Sequence, residues 1–328
     1  MIKDIPLFAV DVGNTRTKVG FWATPDYEAL QRTKELSVPI CDDETSDPSP
    51  VCDGVIEWLQ KSSGISERPS MWLVSSVNKQ KTSELEKRVR ALRPRDSFVN
   101  LALRDVPIQV EYDNPSKLGL DRAIAAYSAL YLFKNRTPFL VVDVGTAATI
   151  DYVDWRGVFC GGAILPGPKL TVEALNAKTS QLPLLSDADI LGASDCFERK
   201  GDRVLVYPAT DTQRAIRLGV VYSLVGAIMS FFWSVRRRLI LNGVNPEVLT
   251  LVLAGGDAEM TKDSLLAGFN ELGCNLGTTI PAPRIYVEPR LVLNGVFRIA
   301  ARRVGLRDTG NIDEIKTCVN EVLNERTY

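Results

Sequence analysis

Phe8-Ala9-Val10-Asp11-Val12-Gly13-Asn14-Thr15-Arg16-Thr17-Lys18-Val19-Gly20-Phe21-Trp22 is the stretch from which the rest of the chain can be read. Two β-favouring runs flank a short polar turn, which predicts a hairpin whose turn carries Asp11, Gly13, Asn14 and Thr15. Glycine lets a ligand come close to the backbone, and neighbouring N–H groups with a hydroxyl and an amide suit a phosphate. Asp11 would then stand where Mg²⁺ could be held beside that phosphate. Taken alone, D-x-G-x-T is also the grammar of an ordinary turn.

A second copy changes the weight of that reading. Phe139-Leu140-Val141-Val142-Asp143-Val144-Gly145-Thr146-Ala147-Ala148-Thr149-Ile150-Asp151-Tyr152-Val153 again runs from an apolar strand through Asp-Val-Gly and a small or hydroxyl turn into a second strand. A strand-turn-strand unit repeated within one chain predicts two similar lobes facing a common ligand. One nucleotide could then be gripped from two sides.

At 328 residues the chain fits two domains better than one. An apolar share of 45% and a charged share of 24% describe a soluble protein, and the net charge of −1 gives no reason to expect nucleic acid. Cys41, Cys52, Cys160, Cys196, Cys274 and Cys318 lack the short pairing of a zinc site, and no secretory leader precedes Asp4. Reduced thiols in a cytoplasmic protein are expected. Histidine is absent, which excludes histidine-dependent triads and points to Asp or Glu as the proton acceptor near neutral pH.

Between the hairpins, residues 41–50 read as an exposed polar loop, 51–60 as a short helix, 71–77 as a strand and 83–92 as a charged helix. Residues 98–101 and 106–110 are shorter strand candidates, and the alternation argues for an α/β lobe. Glu111-Tyr112-Asp113-Asn114-Pro115-Ser116-Lys117-Leu118-Gly119-Leu120-Asp121-Arg122 then leads into an alanine-rich apolar run, 123–133, expected to be a buried helix crossing between lobes. Asp121 falls at its start, where an acidic residue suits the helix dipole as well as it would suit chemistry.

In the second half, residues 157–168 read as a strand entering a glycine-rich bend and 170–177 as a helix. Residues 186–211 read as a loop or lobe-specific insertion. Residues 218–235 hold no charge and precede three arginines, which meets the length and polarity of a membrane span. Gly219, Ser223, Gly226, Ser230 and Ser234 instead give one small face suited to close helix packing, so a buried domain helix is expected and no membrane association. A further strand, 248–254, ends in Gly255-Gly256; a closing helix spans 291–300, and a polar stretch from Asp308 leads to a peripheral tail.

The paired Asp-Val-Gly turns and the third Gly-Gly turn resemble the actin-like and sugar-kinase superfamily. Within it the chain is similar to the type III pantothenate kinases. The resemblance covers most of residues 5–303 and rests on D-V-G-N-T-x-x-K-x-G at 11–20, S-S-V at 75–77, P-x-x-L-G-x-D-R at 115–122 and D-x-G-T-A at 143–147. It extends through G-G-A-I-x-P-G at 161–167, Thr179 with Leu182-Pro183, Gly255-Gly256 and P-x-L-x-L-x-G at 289–295. It implies an α/β fold of two duplicated ribonuclease H-like lobes around a nucleotide cleft. The first lobe would take residues 1–134, with the pantothenate segment and the crossover helix, the second 135–307, and a tail 308–328.

The activity it implies is ATP-dependent phosphorylation of pantothenate to 4′-phosphopantothenate, the first step of coenzyme A biosynthesis. Asp121 would be the base, with Tyr112, Gly119, Leu120, Arg122 and Thr179 binding pantothenate. Asp11, Gly13, Asn14, Thr15, Lys18, Gly145 and Thr146 would hold ATP and its Mg²⁺, and Gly255 and Gly256 would lie near the adenosine. Asp143 would sit by a monovalent cation, K⁺ or NH₄⁺. A homodimer whose substrate pocket draws on both subunits is expected. Ala148 departs from the family's usual threonine, a change expected to weaken a phosphate or cation contact, and Ser180 replaces an alanine. The competing readings are a kinase or phosphatase of the same superfamily with another acceptor, and a non-enzymatic ATP-binding regulatory protein.

Overall fold

The computed structural model describes residues 6–14, 16–22, 34–39, 69–133, 138–190, 198–200, 203–205, 208–275 and 283–303. Thr15, the 41–50 loop, the 51–60 helix and the 308–328 tail lie outside the described residues.

The first hairpin forms as expected from β1 (Leu7–Val12) and β2 (Arg16–Trp22). The first sheet is completed by β3 (Lys34–Pro39), β4 (Met71–Ser76) and β5 (Ser97–Asn100) in the order β3-β2-β1-β4-β5. Between β4 and β5 runs α1 (Lys79–Leu92), capped by the Asn78 side chain, which accepts from the Lys81 N–H at 3.1 Å. Strand β6 (Gln109–Val110) leaves this lobe and pairs in the second sheet, and α2 (Leu120–Leu132) follows it.

The second sheet holds β7 (Phe139–Val144), β8 (Ala147–Val153), β9 (Val158–Pro166), β12 (Thr250–Ala254) and β13 (Arg284–Val287), ordered β13-β12-β7-β8-β9-β6. Between β9 and β12 come α3 (Pro168–Lys178), the short α4 (Asp187–Ile190), a two-stranded pair β10 (Glu198–Lys200) and β11 (Arg203–Leu205), and the long α5 (Thr212–Leu241). Helix α6 (Ala258–Asn275) precedes β13, and α7 (Leu291–Arg303) closes the described chain.

Read from β9, the second sheet runs β9-β8-β7-β12-β13, the order of the first sheet strand for strand. In both, the hairpin strands are antiparallel and the next two strands join in parallel. Burial repeats too: β1 and β7 are buried except at their fifth residue, Asp11 in one and Asp143 in the other. The repeated sequence is therefore a repeated lobe.

Both faces of β1 are covered, which is why it reads as a continuous apolar run. Phe8, Val10 and Val12 pack with Leu85 and Val89 of α1, while Leu7 and Ala9 join a larger core with α2 and α7. That core also takes Phe139 and Val141 from β7, so α2 and α7 are the layer shared by the two sheets. Gly295 lets these helices touch: a Cβ there would lie 2.5 Å from Ile124 Cγ2 and 2.8 Å from its carbonyl oxygen.

Helix α5 is the one described helix long and apolar enough to cross a membrane, with 39% of that window buried. Val221, Leu224, Ile228, Phe232, Val235 and Leu239 pack it on the second sheet, as expected of a domain helix. The small face with Gly219, Ser223, Gly226, Ser230 and Ser234 is the exposed side.

Candidate active site

Asp11 and Asp143 stand one residue from the ends of equivalent strands, each just before a glycine turn. Asp11 is paired with Lys18 across its hairpin and with Ser75 on β4; Asp143 is paired with Thr149 and with Ala254. The Gly13 N–H donates to the Arg16 carbonyl at 3.0 Å and the Gly145 N–H to the Ala147 carbonyl at 3.1 Å. Both glycine amides thus close their own turns. Asn14 is exposed, its carbonyl accepting from Lys81 Nζ at 3.3 Å.

The second turn is built against two other glycines. The Gly167 N–H donates to the Thr146 carbonyl at 2.9 Å, and a Cβ on Gly167 would lie 1.9 Å from the Gly145 carbonyl oxygen. Gly255 has φ +88°, and a Cβ there would stand 2.2 Å from the Val144 carbonyl and 2.5 Å from Asp143 Oδ1. Only glycine fits that position. Gly256 is exposed, and a Cβ there would meet nothing within 4 Å.

Asp121 lies in the first turn of α2, and its Oδ1 accepts from the Arg122 N–H at 2.9 Å. Gly119 makes room for this carboxylate, since a Cβ there would be 2.7 Å from Oδ1. Gly119 and Leu120 also line a cavity of about 460 Å³, together with Ser76, Val77, Leu103 and Leu118. Its wall mixes polar and apolar groups and ends at Leu120, the residue before Asp121.

The acids of the two lobes share one electrostatic field. Burial, then Asp121 and Asp143, push the Asp11 carboxyl up to about 7, with Lys18 pulling it down. Asp143 is pushed up to about 6 by burial, opposed by Lys18 and reinforced by Asp121 and Asp151. Three carboxylates around one lysine favour a cation with oxygen ligands. Among the described residues no three His, Cys, Asp or Glu side chains stand close enough to chelate an ion by themselves. The donor set fits Mg²⁺, which takes one or two carboxylates and completes its shell with phosphate and water.

Arg122 is almost fully buried and paired with Asp151, at 7% and 1% side-chain exposure. Its Nε donates to Asp151 Oδ1 at 3.0 Å and to Oδ2 at 3.1 Å, and Nη2 also bonds Oδ1. Tyr112 lies close enough to the same guanidinium to stabilise its charge, and the guanidinium lies 5.8 Å from the centre of the Phe159 ring. Sequence reasoning gave Asp151 no role; the available signal was an acid two residues beyond Thr149 on an otherwise apolar strand.

Tyr112, Gly119, Leu120, Asp121 and Arg122 therefore gather around the end of α2, and Asp11, Lys18 and Asp143 are close enough to feel it. Thr179 does not join them within this chain: it is exposed after α3, with its hydroxyl donating to the Leu175 carbonyl at 2.8 Å. Ala148 is fully buried in the core of the second lobe, so its missing hydroxyl is not taken from the cleft. Thr149, its neighbour on the other face of the strand, stands beside Asp151 and across from Asp143.

Two equivalent lobes that each bring an aspartate and a glycine turn to one acidic centre are the arrangement of the actin-like and sugar-kinase fold class. The chain belongs to the type III pantothenate kinase family, whose sequence profile matches residues 7–233. The type III pantothenate kinase of Rhodopirellula baltica is 34% identical over 79% of this chain and 90% of its own length. That of Synechococcus elongatus is 36% identical over 61% of this chain and 65% of its own length. Among solved structures, component A of (R)-2-hydroxyglutaryl-CoA dehydratase from Acidaminococcus fermentans superposes with a TM-score of 0.45 at 16% identity. That match covers 92% of this chain and 99% of the other.

Proposed function

We propose that this chain transfers the γ-phosphoryl group of ATP to the primary hydroxyl of pantothenate, giving 4′-phosphopantothenate and ADP in the first step of coenzyme A biosynthesis. The observation that carries the reading is Asp121, set at the head of a helix next to Gly119 and Leu120, which line the cavity, and within the field of Asp11 and Asp143. A cavity of about 460 Å³ suits a small branched acceptor with one reacting alcohol.

In this reading Asp121 accepts a hydrogen bond from the alcohol and takes its proton as the bond to phosphorus forms. Lys18 and the two glycine turns hold the phosphates in line, which is most of what phosphoryl transfer requires. Asp11 would hold Mg²⁺, which when bound neutralises charge on the β- and γ-phosphates. Asp143 would serve a monovalent cation, K⁺ or NH₄⁺, on the other lobe. Gly255 would keep the nucleotide close to the end of β7. The enzyme would be a cytoplasmic homodimer. The exposed small face of α5 supports close packing of a second copy, and Thr179, exposed at the end of α3, supports service in the partner's pocket.

The test is a phosphorylation assay with product mass detection, offering pantothenate, common sugars and water as acceptors, with and without K⁺. Pantothenate-dependent 4′-phosphopantothenate is expected, with higher turnover in K⁺. Sugar phosphate or free phosphate without a pantothenate product would reject the reading.

A further inference from the structure

Arg122 raises a question that the proposed reaction leaves open. A guanidinium expected to meet substrate is already held on one edge by a buried acid, and the surrounding backbone is shaped to allow it. The pairing of β8 with β9 slips by one residue: Asp151 faces Gly162, but Val153 faces Phe159. Gly161, in the slip, has φ +85°, and a Cβ there would lie 3.3 Å from the Tyr112 ring. Gly162 is more constrained still. A Cβ on it would stand 1.9 Å from the Ile150 carbonyl oxygen and 2.8 Å from Asp151 Oδ1. The bulge with its two glycines thus seats Asp151 and Tyr112 together against Arg122.

Burying such a pair is a poor way to gain stability, because apolar side chains of similar volume commonly do as well or better. What a side-on carboxylate does supply is direction. A guanidinium carries five N–H groups in a planar fork, and Asp151 occupies the edge formed by Nε and Nη2. Among the described residues no second acid pairs with Arg122, and the Phe159 ring and Tyr112 lie against the same guanidinium.

Building on the pantothenate reading, we propose that Asp151 is a positioning residue for substrate recognition. By holding one edge of Arg122 it presents the other, beside Tyr112, to the carboxylate of pantothenate. Because Asp151 also balances the charge of Arg122, selection of that carboxylate rests on the fixed direction of hydrogen bonds.

The experiment compares the wild-type protein with Asp151→Asn and Asp151→Glu on two substrates: pantothenate, and the neutral analogue whose carboxylate is replaced by a hydroxymethyl group. Loss of the hold on Arg122 is expected to raise KM for pantothenate about 10- to 100-fold, the scale of a charge-assisted hydrogen bond. KM for the neutral analogue and for ATP should stay within about threefold, so preference for the carboxylate collapses. ATP titration of each variant reports an intact fold. Should Asp151→Asn fail it, Asp151→Glu, which keeps the charge but moves it by one methylene, carries the same expectation. An unchanged preference in either ATP-binding variant, or an equal rise of KM for both substrates, overturns the proposal. A wild-type protein with no pantothenate turnover overturns instead the reading on which it rests.

Discussion

Lys18 stands directly across the first hairpin from Asp11, whereas Asp143, in the equivalent place of the second, faces Thr149. The duplication of the lobes is therefore broken in charge: one lysine serves the acids of both. It pulls the carboxyls of Asp11 and Asp143 down against burial and the repulsion of Asp121. Replacing it, as Lys18→Met, should drive both carboxyls up. The acid limb of the pH–activity profile is then expected to move to higher pH, and turnover at neutral pH to fall about 100-fold or more, as on losing one preorganised charge. Initial rates from pH 6 to pH 9 measure this; a profile lying on the wild type would contradict it.

The same acids should shape stability without metal. In the unfolded chain Asp11 and Asp143 titrate near the ordinary value of about 3.9, but in the fold near 7 and 6. Between those limits the folded state binds more protons than the unfolded one, so these groups favour folding most at low pH. That advantage is lost as pH rises through about 4 to 7. In chelator, the melting temperature attributable to them should drop by roughly 5 °C between pH 5 and pH 8. Asp11→Asn should flatten the drop, and Mg²⁺ should recover it at pH 8. A melting temperature that rises over this range equally in wild type and Asp11→Asn would count against the coupling.

Asp121→Asn keeps the size of the side chain and an oxygen for the Arg122 N–H. Nucleotide affinity should hold within about threefold, while turnover falls about 100- to 10,000-fold, the range for a general base. Separate measurement of ATP binding and kcat divides these effects. Turnover near wild type would remove Asp121 as the base.

The fold was legible because its signals were local and doubled. Phe8 to Trp22 and Phe139 to Val153 each spell a complete hairpin, and a repeated hairpin implies a repeated sheet. Arg122 was harder to read. Its partner Asp151 lies 29 residues away in sequence, on a strand of the second sheet, and no local pattern joins the two. Gly255 and Gly256 look alike as letters, yet one is locked against β7 and the other is open. Pattern reveals which residues share a strand; it does not reveal which strand end meets another.

Ala148 illustrates the same gap. Its place in D-x-G-T-A-A suggested a lost cleft hydroxyl, but alternation along β8 turns it into the core and gives the cleft to Thr149. The equivalent first-lobe residue, Thr17, is buried with its hydroxyl unbonded. Ala148→Thr is expected to lower stability by about 1–3 kcal/mol through overpacking and a buried hydroxyl. KM for ATP should change by less than about twofold. A tighter KM for ATP would return Ala148 to the cleft.

The two glycines after β12 give the sharpest contrast. Gly255→Ala would force a Cβ into the Val144 carbonyl and Asp143 Oδ1 at a positive φ, and both neighbours are fixed by the sheet. The backbone strain alone is worth about 1–3 kcal/mol. Relief of the clash must displace Asp143 or the turn after it, so ATP affinity and any response to K⁺ should fall together. Gly256→Ala meets no atom within 4 Å and should melt within about 1 °C of wild type. Thermal melts and ATP titrations of both variants decide the matter. Equal behaviour of the two would mean that the close approach of β12 to Asp143 is not what holds the second half of the site.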